Sequence, residues 1–216
     1  YTPLRWPQGE VVAVGGLPNS SARQDFFEVI GRRRTCRAFA HAASDAMLAM
    51  LDVLLFESCK AQVLGSDSLG FPLSLRPSPS AGAIHPIHVI ANVPRQEYWL
   101  RLDPFKGKLV SFSSKVCVDD VRSSLDAVLH APDAALILFV AEPAMTAAKY
   151  AECASLVWRD AGVLQGTIAI SAEALGIGCA LLGVTGEPWS SQLLESPGLQ
   201  GVGAAFVGRP GPAAYL

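Results

Sequence analysis

Four arginines fall within six residues at Arg32-Arg33-Arg34-Thr35-Cys36-Arg37. Guanidinium groups grip phosphate through paired hydrogen bonds, and a hydroxyl beside them adds another contact. The nearby carboxylates, Asp25, Glu28 and Asp45, are too few to neutralise all four. The stretch reads as a phosphate anchor or, equally, as a solvated basic loop. A second segment, Arg76-Pro77-Ser78-Pro79-Ser80-Ala81-Gly82-Ala83-Ile84-His85-Pro86, combines small residues with hydroxyls. Small residues let backbone approach a flat ligand and serines supply hydrogen bonds, although an ordinary Pro/Ser loop has the same composition. Lys149-Tyr150, at an expected helix start, reads from the residues alone as a surface Lys with a packed Tyr. His85 is a further acid/base candidate, or a loop hydrogen-bonder.

Other chemistries are disfavoured. Gly176-Ile177-Gly178-Cys179-Ala180-Leu181-Leu182-Gly183 follows a helical pattern and lacks the third glycine of a dinucleotide fingerprint, so it reads as a helix-to-strand turn. The four histidines (41, 85, 88, 130) form no H-x-x-x-H pair, which predicts no metal site. A net charge of −2 argues against nucleic acid as a partner. The longest apolar runs are too short for a bilayer, which predicts no membrane span. Five scattered cysteines without C-x-x-C suggest reduced thiols, packed as small apolar groups, in a cytoplasmic setting.

These residues need a scaffold. Half of the 216 residues are hydrophobic and 17% are charged, so a large core or a subunit interface must absorb the apolar excess. Residues 1–19, rich in Pro and Gly, read as an arm or linker, and residues 20–216 as one domain. The start at Tyr1 suggests a piece of a longer polypeptide. Ser21 and Gln24 suggest a capping box for a short helix that runs to Ile30 and stops at Gly31. Ser44 opens a second helix, with Met47, Leu48, Leu51, Leu54 and Leu55 at helical spacing. Residues 64–86 read as loop. Strands are expected at 88–93, 98–102, 109–112, 134–141, 178–183 and 202–207. Helices are expected at 118–130, 147–175 and 187–194, the long one ending at Gly176. Its segment 161–174 is apolar on nearly every face and must be covered all round, either in the core or by a second subunit. Irregular alternation of strands and helices points to a layered α+β fold.

Taken together, the motifs resemble the nitroreductase superfamily, and within it the SagB-type azoline dehydrogenase branch. The resemblance rests on Arg33 to Phe39, Arg76 to Pro86, Lys149-Tyr150, Asp160-Ala161-Gly162 with Gln165, and Ala172 to Gly178, in order and at matching spacing over about residues 26–210. Departures are His85 in place of Tyr before the loop proline, Asp160 in place of Glu, Gly166 in place of Asn, and Cys153 in place of Arg. They touch the substrate contacts more than the fold.

The resemblance implies a compact α+β fold with a central, mostly antiparallel sheet, flanking helices and a long buried central helix. It also implies a homodimer with FMN at the subunit interface. Arg33 and Thr35 match positions that hold the phosphate and ribityl chain, and Arg37 matches a cation near the N1/O2 edge of the flavin. Ser78, Ser80 and Gly82 match the loop lining the cofactor. Leu182 and Gly183 match a strand end facing the ring, and Arg209 would reach the phosphate. Arg34 joins this cofactor-binding set without an individual role. Lys149 and Tyr150 match the catalytic pair, one the base and the other its hydrogen-bond partner.

The implied reaction is FMN-dependent oxidation of peptide thiazoline or oxazoline rings to thiazole or oxazole. The peptide would be free or tethered to a carrier protein, and the domain either freestanding or part of a nonribosomal peptide synthetase. Alternatives are an NAD(P)H-dependent nitroreductase or flavin reductase, and a non-catalytic docking scaffold.

Overall fold

The computed structural model describes residues 2, 4–14, 24–68, 70, 72–195, 197–212 and 214–215. Its centre is a seven-stranded sheet formed by β1 (Val11–Val14), β4 (Ile87–Asn92), β5 (Trp99–Asp103), β6 (Lys108–Phe112), β7 (Ala135–Ala141), β8 (Gly178–Leu182) and β9 (Gln200–Gly208). The order is β1-β6-β5-β4-β7-β9-β8, and every neighbouring pair is antiparallel. Strands β2 (Val63–Ser66) and β3 (Pro72–Leu75) make a separate antiparallel ribbon, with Val63 opposite Leu75 and Ser66 opposite Pro72.

β7 is buried along its whole length because both faces of the sheet are covered. Its alternate residues enter two cores. Ile137 and Phe139 pack with Met47, Leu51, Leu54 and Leu55 of α2 (Ser44–Cys59) and with Val157, Ala161, Leu164 and Ile168 of α5 (Cys153–Ala174). Leu136, Leu138 and Val140 face the other way, against Val121 and Leu125 of α3 (Val118–Leu125), Trp99 and Phe206. The two remaining helices are α1 (Phe26–Arg32) and α4 (Pro143–Ala147). Among the described residues, no helix is long and apolar enough to cross a membrane.

Several expectations are corrected. Residues 11–14, read as arm, form the edge strand β1, which pairs with β6. Ser21 lies outside the described residues; the α1 cap is Asp25, whose Oδ1 accepts from Phe27 N (2.9 Å) and Glu28 N (3.1 Å). Gly31 lies inside α1, which ends one residue later. The loop expected at 64–86 contains most of the β2–β3 ribbon. The helix expected over 118–130 closes at Leu125, whose carbonyl takes both Val128 N and Leu129 N. Residues 187–194 hold only a single 3-10 turn at Ser190–Gln192.

The most consequential correction concerns 147–175. This stretch is not one helix: α4 ends at Ala147 and α5 begins at Cys153. The amides of Lys149 and Tyr150 both turn back to Thr146 O, at 3.1 and 2.9 Å. The far end behaves as expected. Gly176, at φ +70°, bonds to Glu173 O while Ile177 N bonds to Ala172 O, a Schellman stop. Nor is α5 covered all round in the single chain, because Trp158 and Val163 are 46% and 40% exposed.

Candidate active site

The Ser/Pro loop is tied to the buried face of α5. Asp160, only 7% exposed, accepts from Ser80 Oγ at 2.5 Å and from Ala81 N at 3.1 Å. Ser80 Oγ in turn accepts from His85 N at 2.9 Å. One carboxylate and one hydroxyl thus satisfy backbone donors at both ends of a tight turn, as a buried polar group requires. Inside the turn, Gly82, Ala83 and His85 all have left-handed backbones, at φ +60°, +54° and +54°. Such conformations cost energy for residues with a Cβ and persist when surrounding contacts hold them.

Two basic side chains brace the loop from behind. His85 Nε2 lies 2.8 Å from Ser74 O, so it carries the proton and donates it to that carbonyl. Burial and the neighbouring Arg76 push His85 down to about 4, leaving it neutral near pH 7. His85 is therefore a structural pin, the second of its two sequence readings. Arg76 donates Nε–H to Ser74 Oγ at 3.0 Å and lies 5.5 Å over the Phe105 ring. Burial lowers its pKa to about 10, so it stays a cation. Arg76, Ser78, Ser80, His85, His88 and Asp160 line a pocket between loop and sheet.

The Lys149-Tyr150 turn meets this loop from the other side. A Cβ built on Gly82 would lie 2.6 Å from the Tyr150 hydroxyl, so the tyrosine rests directly on the loop backbone. Lys149 Nζ forms an ion pair of 2.5 Å with Asp67 Oδ2, at the turn of the β2–β3 ribbon. It stands 5.9 Å from the Tyr150 ring centre. The Asp67 hydrogen bond holds the ammonium above the usual lysine range.

The basic stretch lies elsewhere. Cys36 N bonds to Cys179 O (3.0 Å), Arg37 N to Ala214 O (2.7 Å) and Ala40 N to Arg209 O (2.9 Å). The segment therefore threads between the start of β8 and the tail after β9. Gly178 is required there, because a Cβ would lie 2.5 Å from Cys36 Sγ. Burial pushes the Cys179 thiol up to about 12 although Arg33 acts against it. Arg32 finds a distant carboxylate, Glu173, at 2.7 Å. Arg34 turns back onto Gly31 O and Arg33 O, at 3.0 and 2.9 Å. Among the described residues, no carboxylate lies within ion-pair distance of Arg33 or Arg209, which suits this corner to an external anion. Thr35 is half-buried in the same segment. Leu182 ends β8 opposite Ala204 of β9 and Gly183 follows it, at the other end of the strand from the Cys36–Cys179 contact.

The candidate residues thus form two groups. Ser78, Ser80, Gly82, Lys149 and Tyr150 gather at the Asp160 end of α5. Arg33, Thr35, Arg37 and Arg209 gather near its Glu173 end. Thirteen residues of helix separate Asp160 from Glu173, about 20 Å. Asp160 entered the sequence reading only as a motif substitution, yet it anchors the loop. Its signal was a carboxylate on the face of a helix that is otherwise apolar. Asp67 gave no such signal, since it sits in a polar turn.

No protein-family model matches the chain, and no curated protein matches it. Solved structures do. A provisionally named nitroreductase from Ralstonia eutropha JMP134 aligns with a TM-score of 0.66 at 19% identity, over 98% of this chain and 99% of its own. The E. coli microcin synthetase McbBCD complex with truncated pro-MccB17 bound aligns at 0.66 and 16% identity, over 94% of this chain and 79% of the matched one. A nitroreductase with bound FMN from Bacteroides fragilis NCTC 9343 aligns at 0.53 and 15% identity, over 89% and 92%. Identities this low speak to architecture, and they agree with the antiparallel sheet and its flanking helices. The chain has the nitroreductase-like fold.

Proposed function

We propose that the chain is an FMN-dependent oxidoreductase that oxidises thiazoline or oxazoline rings in a peptide to the aromatic azoles. The observation that carries this reading is the junction of the cofactor loop with the Lys149-Tyr150 turn. Tyr150 rests on Gly82, and the Lys149 ammonium lies over its ring, 5.9 Å from the centre. Such groups suit a reaction in which a ring proton and a hydride leave neighbouring carbons. Bound FMN would accept the hydride at N5. The residues present fit that group: small residues and left-handed backbone allow close approach between Ser78 and His85, Arg33, Thr35 and Arg209 suit its phosphate end, and Arg37 suits the N1/O2 edge of its ring. Arg34 is turned to its own backbone and contributes charge alone. The matched chain of the microcin synthetase McbBCD complex, which has truncated pro-MccB17 bound, has the same fold, and this supports a substrate of that kind here.

Two copies of the chain would make the complete site. An antiparallel pairing of the exposed α5 faces places the Arg33 end of one helix against the Asp160 end of the other. This joins the two residue groups and covers Trp158 and Val163. The substrate peptide is free or carried by a partner protein, in a cytoplasmic setting that suits five unpaired thiols. A second reading, an NAD(P)H-dependent nitroreductase, is favoured by the names of the neighbouring structures. Purified protein should bind FMN with a flavin absorption spectrum; failure to take up added FMN would defeat both readings.

A further inference from the structure

The lysine of the Lys149-Tyr150 turn faces a carboxylate that comes from far away in the chain. Asp67 sits where β2 turns toward β3, and 82 positions separate it from Lys149. Both side chains are largely withdrawn from water, at 21% and 16% exposure. The break between α4 and α5 is what makes the meeting possible, because a continuous helix over 147–175 would not present this turn to the ribbon. Tyr150 is fixed on the other side by Gly82. The turn is thus gripped from two directions, by the ribbon at Lys149 and by the loop at Tyr150.

We propose that Asp67 is a positioning residue of the active site: its carboxylate holds Lys149 as an ammonium beside Tyr150, so that Lys149 serves as a fixed cation and hydrogen-bond donor and not as the proton acceptor. Among the described residues, Asp67 and Tyr150 both favour the protonated amine of Lys149, against the desolvation that opposes it. An opposite charge at this distance stabilises the charged form, and a preorganised cation in a sheltered site stabilises negative charge that develops in front of it. The role in catalysis rests on the azoline reading above; the ion pair does not.

The test uses Asp67→Asn and Asp67→Glu in the whole chain with flavin bound. Competitive acetylation of Lys149, read by mass spectrometry against exposed Lys106 across the alkaline range, reports the fraction of neutral amine without any substrate. Asp67→Asn should lower the Lys149 midpoint by about one pH unit, and Asp67→Glu should restore it. The rate of flavin bleaching by a peptide azoline should fall at least about tenfold in Asp67→Asn, with KM little changed. An unmoved midpoint would overturn the proposal, as would a moved midpoint with an undiminished rate. A wild-type chain that shows the titration difference but oxidises no azoline would end the azoline reading while still supporting the ion pair.

Discussion

Ser80 and Asp160 lie eighty positions apart and meet at 2.5 Å, with the same carboxylate also taking Ala81 N. This contact makes the Ser/Pro loop part of the rigid core, because Asp160 is planted on the buried face of α5. Asp160→Ala should leave two half-buried donors, Ser80 Oγ and Ala81 N, without this acceptor. The expected cost is about 2 kcal/mol in urea unfolding, with at least about tenfold weaker FMN binding by fluorescence titration. Unchanged flavin affinity in a folded variant would refute the anchoring role.

Gly82 and Tyr150 should be energetically coupled. A Cβ at Gly82 meets the Tyr150 hydroxyl at 2.6 Å, and φ is +60°. Gly82→Ala should therefore destabilise by more than the roughly 1 kcal/mol of backbone strain alone. Tyr150→Phe removes the atom nearest the new methyl, so the Gly82 penalty should shrink in that background. A double-mutant cycle reads the difference, and strict additivity would contradict the contact.

His85 makes stability depend on pH. Its folded pKa of about 4 lies below the ordinary 6.5, so the unfolded chain binds the proton more readily. The contribution is fully present above about pH 6.5 and is lost as pH falls toward about 4. His85→Gln keeps a donor toward Ser74 O and should flatten the fall in urea stability across that window. It should not abolish the fall, because His88 is also depressed by burial. An identical slope in the variant would contradict the buried neutral state.

Legibility in the sequence followed the range of the interactions. Gly176 stops α5 through bonds within one turn, and β7 declares itself as a continuous apolar run; both were readable. The edge strand β1 was not, because its pairing with β6 joins residues nearly a hundred positions apart. The break at 148–152 was equally hidden: Ala, Lys and Tyr are acceptable helix residues, and tertiary contacts to Asp67 and Gly82 hold the turn open. Among the site residues, the motif segments were visible as types and spacings. Their separation to opposite ends of α5 was not visible, since it depends on which strands the segments join.

The exposed face of α5 should be a subunit contact. Trp158→Glu places a charge on that face and should shift the protein from dimer to monomer in analytical ultracentrifugation, with loss of bound FMN. A wild-type monomer that retains flavin would contradict the shared site.

The central claim is oxidation of an azoline by bound flavin. Under anaerobic conditions, a peptide thiazoline or oxazoline should bleach the flavin absorbance in a single turnover and yield one azole per flavin. NADPH at the same concentration should bleach it far more slowly. Lys149→Ala and Tyr150→Phe should keep the flavin and lose the bleaching by azoline. Rapid bleaching by NADPH, with none by any azoline, would contradict the account and leave a nitroreductase in its place.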